Sequence, residues 1–322
     1  AMEILQSKNL EQEFMAYLIL GNKKLALKLL EEHPDFDCDN AFCPLRHAID
    51  NDDALMVSAI FPRIKDIETM KYPLKVDADA YPSHPLPFAI HSSRFKAAKA
   101  LLDAGADPSL ANGDKNALFY ACKACNPPEA YALLSYAYNT CNPIEIYSLI
   151  EDMLQKGAKK YINVRVEELW GPSSYPLHHA ARSTFGGKLT KLLLENGAEV
   201  DALTGYGFTP LYLALKDQNL EVVAVLLEAG ANPFGYVVSN GDSIVSSHNY
   251  APTNNDALQR LLNTARANWI FKRCKHLLML LKSEGDDLQL QGIWDPFLNV
   301  VGPLLFHLYL EEFNHKESTI LP

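Results

Sequence analysis

Six cysteines and ten histidines are the residues of this chain best suited to nucleophilic or metal chemistry. Cys122 and Cys125 form a Cys-x-x-Cys pair, half of a zinc site or a redox couple. A structural zinc site needs four ligands at suitable spacing. Cys141 is a third candidate, but no second Cys-x-x-Cys or histidine pair follows nearby. Cys38 or Cys43 with His47 could form a thiol–imidazole pair, yet nothing in the sequence orients the base as nucleophilic catalysis requires. Phosphate-loop, dinucleotide-loop, Gly-x-Ser-x-Gly and His-Glu-x-x-His patterns are absent. Asp286-Asp287 is too short a carboxylate cluster for calcium or glycoside chemistry. No catalytic residue, metal or cofactor is therefore assigned, and the residues favour a non-enzyme. The alternative is a cysteine-dependent hydrolase, marked by a cysteine exposed in a cleft beside a histidine.

Bulk composition narrows the partners. The 29 basic and 39 acidic residues give a net charge of −10, so most of the surface repels nucleic acid and anionic membranes. The cysteines are too sparse for a disulfide scaffold, and residues 1–20 lack a secretory leader, so free thiols in the cytoplasm are expected. The longest apolar run, Phe297–Leu310, is interrupted by Asn299, Gly302, Pro303 and His307. A spanning helix needs ~20 mostly apolar residues, so no membrane span is expected.

The elements that must position any site come from a recurring string. It reads Tyr175-Pro176-Leu177-His178-His179-Ala180-Ala181, followed by Leu192-Leu193-Leu194-Glu195-Asn196-Gly197-Ala198. The next copy is Thr209-Pro210-Leu211-Tyr212-Leu213-Ala214-Leu215, followed by Leu226-Leu227-Glu228-Ala229-Gly230-Ala231. An earlier copy is His84-Pro85-Leu86-Pro87-Phe88-Ala89-Ile90 with Leu101-Leu102-Asp103-Ala104-Gly105-Ala106, and weaker ones start at Cys43 and Asn116. Thr or its substitute caps a helix, and Pro sits in the first turn, where its missing N–H costs little. Gly105, Gly197 and Gly230 end the second helix in the left-handed position. A lone short helix pair cannot bury its apolar faces, whereas stacked pairs can. The anchor recurs at Leu45, Leu86, Leu118, Leu177, Leu211 and Val245, in steps of 41, 32, 59, 34 and 34. A period near 33 with insertions around 64–81, 126–143 and 164–174 accounts for them.

The string resembles the ankyrin repeat, whose consensus holds Thr-Pro-Leu-His-x-Ala and Leu-Leu-x-x-Gly-Ala over ~33 residues. The resemblance implies an all-α ankyrin-repeat solenoid, built of helix-turn-helix repeats with hairpin-like turns, plus a C-terminal helical extension. It places N-terminal capping helices in 1–42, repeats in 43–266 and the extension in 267–322. Within it, 241–266 is a capping repeat with Asp256–Ala265 as its outer helix. The extension carries Trp269–Leu281, then Pro296–Phe313. Packing of these helices on the last repeat is the simpler reading, and recruitment of other machinery by them the alternative. Cys122 falls where such repeats bury a small residue, and His178 where the family's histidine ties neighbouring repeats.

Function follows from the same resemblance as an expectation: a protein–protein interaction scaffold. Its partner would lie along the concave face and the turn tips. The row after each small-residue pair is Asp50 and Asn51, His91 and Ser92, Lys123 and Ala124, Arg182 and Ser183, Lys216 and Asp217. Lys123, Arg182 and Lys216 form a cationic strip suited to an acidic patch on a protein. Apolar residues at turn tips, among them Trp170, Leu203, Tyr206, Phe208 and Tyr236, are candidate anchors. The degenerate repeats and the tail Glu311-Glu312 to Leu321-Pro322 also resemble ankyrin-containing effectors secreted by intracellular bacteria, which implies a host protein as partner.

Overall fold

The computed structural model describes residues 2–36, 44–64, 84–111, 116–126, 143–167, 172–183, 185–234, 236–238, 244–246 and 255–283. Its helices come in antiparallel pairs: α1 (Met2–Ile19) with α2 (Lys23–Glu32), α3 (Pro44–Asp50) with α4 (Ala54–Ile60), and α5 (Pro85–His91) with α6 (Phe95–Asp103). Then come α7 (Ala117–Ala124) with α8 (Pro143–Gln155), α9 (Pro176–Arg182) with α10 (Gly186–Glu195), and α11 (Pro210–Lys216) with α12 (Leu220–Glu228). The first helices form one layer, with α3, α5, α7, α9 and α11 each touching the next; among the second helices α2, α4, α6 and α8 touch in turn, as do α10 and α12.

The sequence explains this layering. Four of the five first helices from α3 onward begin with proline, and the fifth begins after Asn116, whose Oδ1 accepts from Phe119 N at 2.8 Å. Thr209 caps α11 in the same way, accepting from Tyr212 N at 3.1 Å. The anchors Leu45, Leu86, Leu118, Leu177 and Leu211 are buried at 1% exposure or less, in one continuous core with Ala48, Ala89, Ala121, Ala180 and Ala214. These small residues let the first layer pack closely against its neighbours. Gly105, Gly197 and Gly230 take φ of 94°, 96° and 92° at the ends of their second helices.

A second left-handed position recurs without glycine. Asp52, Ser93 and Gln218, each in the turn between first and second helix, have φ of 51°, 58° and 54°. The following backbone N–H then reaches back to close the helix: Asp53 to Ala48, Arg94 to Ala89 and Asn219 to Ala214, at 2.8–2.9 Å. Polar residues tolerate this region better than bulky ones, and the hydrogen bonds offset the strain.

The end of the array departs from expectation. Val245, placed on a sixth first helix by its spacing, lies instead in a two-stranded antiparallel ribbon of β1 (Tyr236–Val238) and β2 (Ile244–Ser246), where it pairs with Val237. Both segments are dominated by Tyr, Val and Ile, which favour a pleated strand over a short helix. The expected outer helix Asp256–Ala265 and the apolar segment from Trp269 are one element, α13 (Asp256–Ser283), of 28 residues. Its first turns bury Leu258 and Leu262 fully, and Trp269 meets Phe234 edge to face at 5.4 Å. Residues 284–322, including Pro296–Phe313, lie outside the described residues.

Candidate functional site

The row starts at the C-terminal ends of the first helices, where alternate residues leave the core. In the first repeat Arg46 donates Nε to Asp50 Oδ2 at 2.9 Å and lies 4.2 Å above the Phe88 ring. His91 meets Tyr120 edge to face at 4.9 Å. Burial, with a smaller contribution from Lys123, lowers its pKa to about 4, so it stands neutral near pH 7. Arg182 donates Nε to Asp217 Oδ2 at 3.0 Å, joining α9 to the residue after α11. Lys216 is exposed beside Asp217. The sequence reading missed Arg46 and Tyr120 as members of the row. The Arg-x-x-x-Asp spacing of Arg46 and Asp50 was the available signal for the first, since i,i+4 residues share a helix face.

Ser183 is corrected. It is 1% exposed, and its hydroxyl donates to Cys125 O at 3.0 Å and accepts from Phe185 N at 3.1 Å. The chain turns inward after Arg182, so Ser183 fastens one repeat to the previous one and leaves the row. Ala124 is buried for the same reason. Only the first residue of each pair stays in the groove in these two middle repeats.

The turn tips divide similarly. Leu203 and Tyr206 are 48% and 47% exposed. Phe208 is half-buried, stacked on Tyr212 at 4.7 Å with Tyr206 against its edge at 6.0 Å. It supports the Tyr206 tip. Phe234 packs on Trp269 beneath Arg266, whose guanidinium carbon lies 5.6 Å from the ring. Trp170 lies outside the described residues, and of Tyr236 only the strand backbone is described.

The histidines that the sequence brought forward hold the scaffold. His178 is 2% exposed; its Nε2 lies 3.0 Å from the carbonyls of both Ala202 and Phe208, and its Nδ1 accepts from Tyr175 N at 3.3 Å. Burial lowers its pKa to about 4. It thus clamps the following turn onto its own helix. His179 lies between the Asn126 amide at 2.9 Å and the Ser174 hydroxyl at 3.0 Å.

Chemistry finds no opening among the described residues. Cys122 is fully buried, and burial raises its thiol pKa well above the usual range. Cys125 donates its thiol to Ala121 O at 3.4 Å. A buried neutral thiol is a poor nucleophile and metal ligand. No group of three or more His, Cys, Asp or Glu is gathered for a metal among these residues. A cleft of about 530 Å³ opens between α4, α6 and α8, lined by Phe95, Lys96, Lys99, Asp103, Ile144 and Leu149 among others, with no cysteine or histidine. Cys38, Cys43 and Cys141 lie outside the described residues.

The fold and row define a class: stacked helix pairs whose first helices form one layer. The sequence model of the family described as "Ankyrin repeats (3 copies)" matches residues 146–234. The fold is accordingly the ankyrin-repeat fold, and the secondary structure of the described residues is helical apart from the β1–β2 ribbon and the Val166–Ser174 bridge. Ankyrin repeats are generally protein–protein interaction modules. Among solved structures, the chain is similar to an ankyrin repeat domain from Acinetobacter baumannii AYE, at 22% identity and a TM-score of 0.46, covering 69% of this chain and 97% of that one. No curated protein matches. Among the described residues no helix is long and apolar enough to cross a membrane.

Proposed function

We propose that this chain is a non-enzymatic scaffold that binds a protein through the groove row and the tip of the fifth turn. The observation that carries this is the alignment of Lys123, Arg182 and Lys216 at the ends of three successive first helices in a chain of net charge −10. Such a strip selects an acidic patch, and exposed Tyr206 and Leu203 supply apolar anchors at its edge. Arg182, Lys216 and Tyr206 are the central contacts, with His91, Lys123, Trp170 and Tyr236 flanking them. Affinity capture with the full chain, followed by mass spectrometry, identifies the partner. Joint alanine substitution of Arg182, Tyr206 and Tyr236 abolishes that capture while the melting temperature stays nearly unchanged. Retained affinity overturns the placement.

The acidic tail supports one extension of this reading: delivery into a host cell, with a host protein as partner. The stretch Glu311-Glu312-Phe313 to Ile320-Leu321-Pro322 joins glutamates to a terminal apolar pair. A translocation assay with residues 303–322 removed tests it, and undiminished delivery refutes it.

A further inference from the structure

The cationic strip is already partly occupied by the protein itself. Arg182 is held at 3.0 Å by Asp217, 35 residues away on the next repeat. The Arg46–Asp50 pair differs, because it closes within a single helix at i,i+4. The Arg182–Asp217 pair instead links the C-terminal ends of two adjacent first helices, on the row assigned above to the ligand.

We propose that Asp217 is a built-in competitor, and that a carboxylate of the bound protein takes its place on Arg182. This rests on the groove reading above and names the event that opens it. Both side chains are about one-third exposed, so water and an incoming carboxylate reach the pair directly. Their backbones, by contrast, are fixed. Ser183 ties the end of α9 to Cys125 O, and Asn219 donates Nδ2 to Ser183 O at 3.4 Å. Asp217 N bonds to Leu213 O at 3.0 Å, and Asn219 N closes the turn onto Ala214 O at 2.9 Å. Exchange therefore proceeds by side-chain rotation on a stiff frame. Lys216, exposed at the adjacent position, keeps this end of the groove cationic after Asp217 leaves. A partly exposed pair is weak enough to be replaced without unfolding its repeats.

The competition also sets specificity. A neutral or basic segment forfeits the internal pair without replacing it, so a carboxylate-bearing segment is favoured at Arg182. The test uses the full chain and a fluorescein-labelled octaglutamate peptide, with anisotropy at low ionic strength. Wild type, Asp217→Asn, Arg182→Gln and the double variant are compared, each checked for helicity and melting temperature. Asp217→Asn binds about five-fold tighter than wild type, as expected for release of an ion pair of this exposure. Arg182→Gln binds more weakly, and in that background Asp217→Asn gives no gain. A gain that persists without Arg182 is a general charge effect and overturns the proposal. Equal or weaker binding by Asp217→Asn also overturns it, while loss in Arg182→Gln alone leaves the groove reading standing. Binding unaffected by either residue, or absent from every variant, overturns both the exchange and the acidic character of the partner.

Discussion

The first three helix pairs and the segment 146–234 stack in the same way but are fastened by different bonds. In 146–234 several fasteners reach backbone atoms, beside the Arg182–Asp217 ion pair. His178 reaches Ala202 O and Phe208 O, Asn163 bonds Gly197 O at 2.9 Å and Glu199 N at 2.8 Å, and Asp201 accepts from Asn232 N at 3.1 Å. Earlier in the chain an ion pair and a cation–π contact join the backbone ties: Lys23 pairs with Asp53 at 2.6 Å, and Arg46 lies over Phe88. Lys99 links the two regions, pairing with Asp152 of α8 at 2.6 Å. Backbone ties occur in the early pairs too: Ala97 N donates to Asp52 Oδ1 at 2.9 Å, Arg63 Nη1 donates to Pro34 O at 2.8 Å, and His47 Nε2 lies 3.3 Å from Leu18 O. The comparison separates two layers of information. Apolar stacking makes the array in both regions, the polar fasteners vary along it, and the family model matches only residues 146–234.

The core should not distinguish the regions. Leu45→Ala and Leu211→Ala, at 0% and 1% exposure, should each cost about 2–5 kcal/mol through lost burial and a residual cavity. Urea unfolding of both variants measures this. A much smaller loss at Leu45 would break the comparison, showing that the early repeats are not bound by the same core.

Acid should act through the buried histidines. His178 and His91 have pKa values lowered to about 4 from 6.5. Below pH 6.5 the unfolded chain takes up protons that the folded chain refuses, so stability falls as pH drops from 6.5 to about 4 and stops falling from this source below that. Each fully coupled histidine contributes roughly 1.4 kcal/mol per pH unit in that window. His178→Gln should flatten the curve of unfolding free energy against pH by about half. An unchanged slope would show that the His178 clamp is not the acid-sensitive part.

Close approach sharpens the picture further. A Cβ on Gly186 would lie 2.4 Å from Val222 Cγ2 and 3.0 Å from Ala180 O. Gly186→Ala should therefore cost about 1–3 kcal/mol by forcing α10 off α12. Gly187→Ala should be milder, because its Cβ meets the movable end of Glu221. Melting temperatures of the two variants rank them, and the reverse order would refute this packing.

The smallest effect tests the fasteners directly. Lys99→Met should cost about 0.5–1 kcal/mol at low salt, since the lysine is partly exposed, and almost nothing in 1 M sodium chloride, where the screening length is ~3 Å. Asp201→Ala, which strips a tie to backbone, should keep most of its cost in high salt. Equal salt sensitivity would erase the difference between ion pairs and backbone ties as fasteners.

Much of the array could be read before folding. Pro at the first helical position, paired small residues and glycine after the second helix are local requirements of short stacked helices, and each appears at its period. The third insertion shows the limit: Val166 and Ser174 form an antiparallel bridge that no local pattern announced. Val245 shows another, because period alone cannot tell a helical anchor from a strand position when the surrounding residues favour extension.

What the amino-acid order determined by itself is the helix-pair unit, its repetition and the positions of its cations, because caps, breakers and apolar spacing act within a few residues. Only the tertiary structure decided which of those cations face the groove with a partner already in place. Ser183 turns inward and Asp217 reaches Arg182 because the stacking of α9 on α11 brings together residues 35 positions apart, a distance over which sequence pattern carries no geometry.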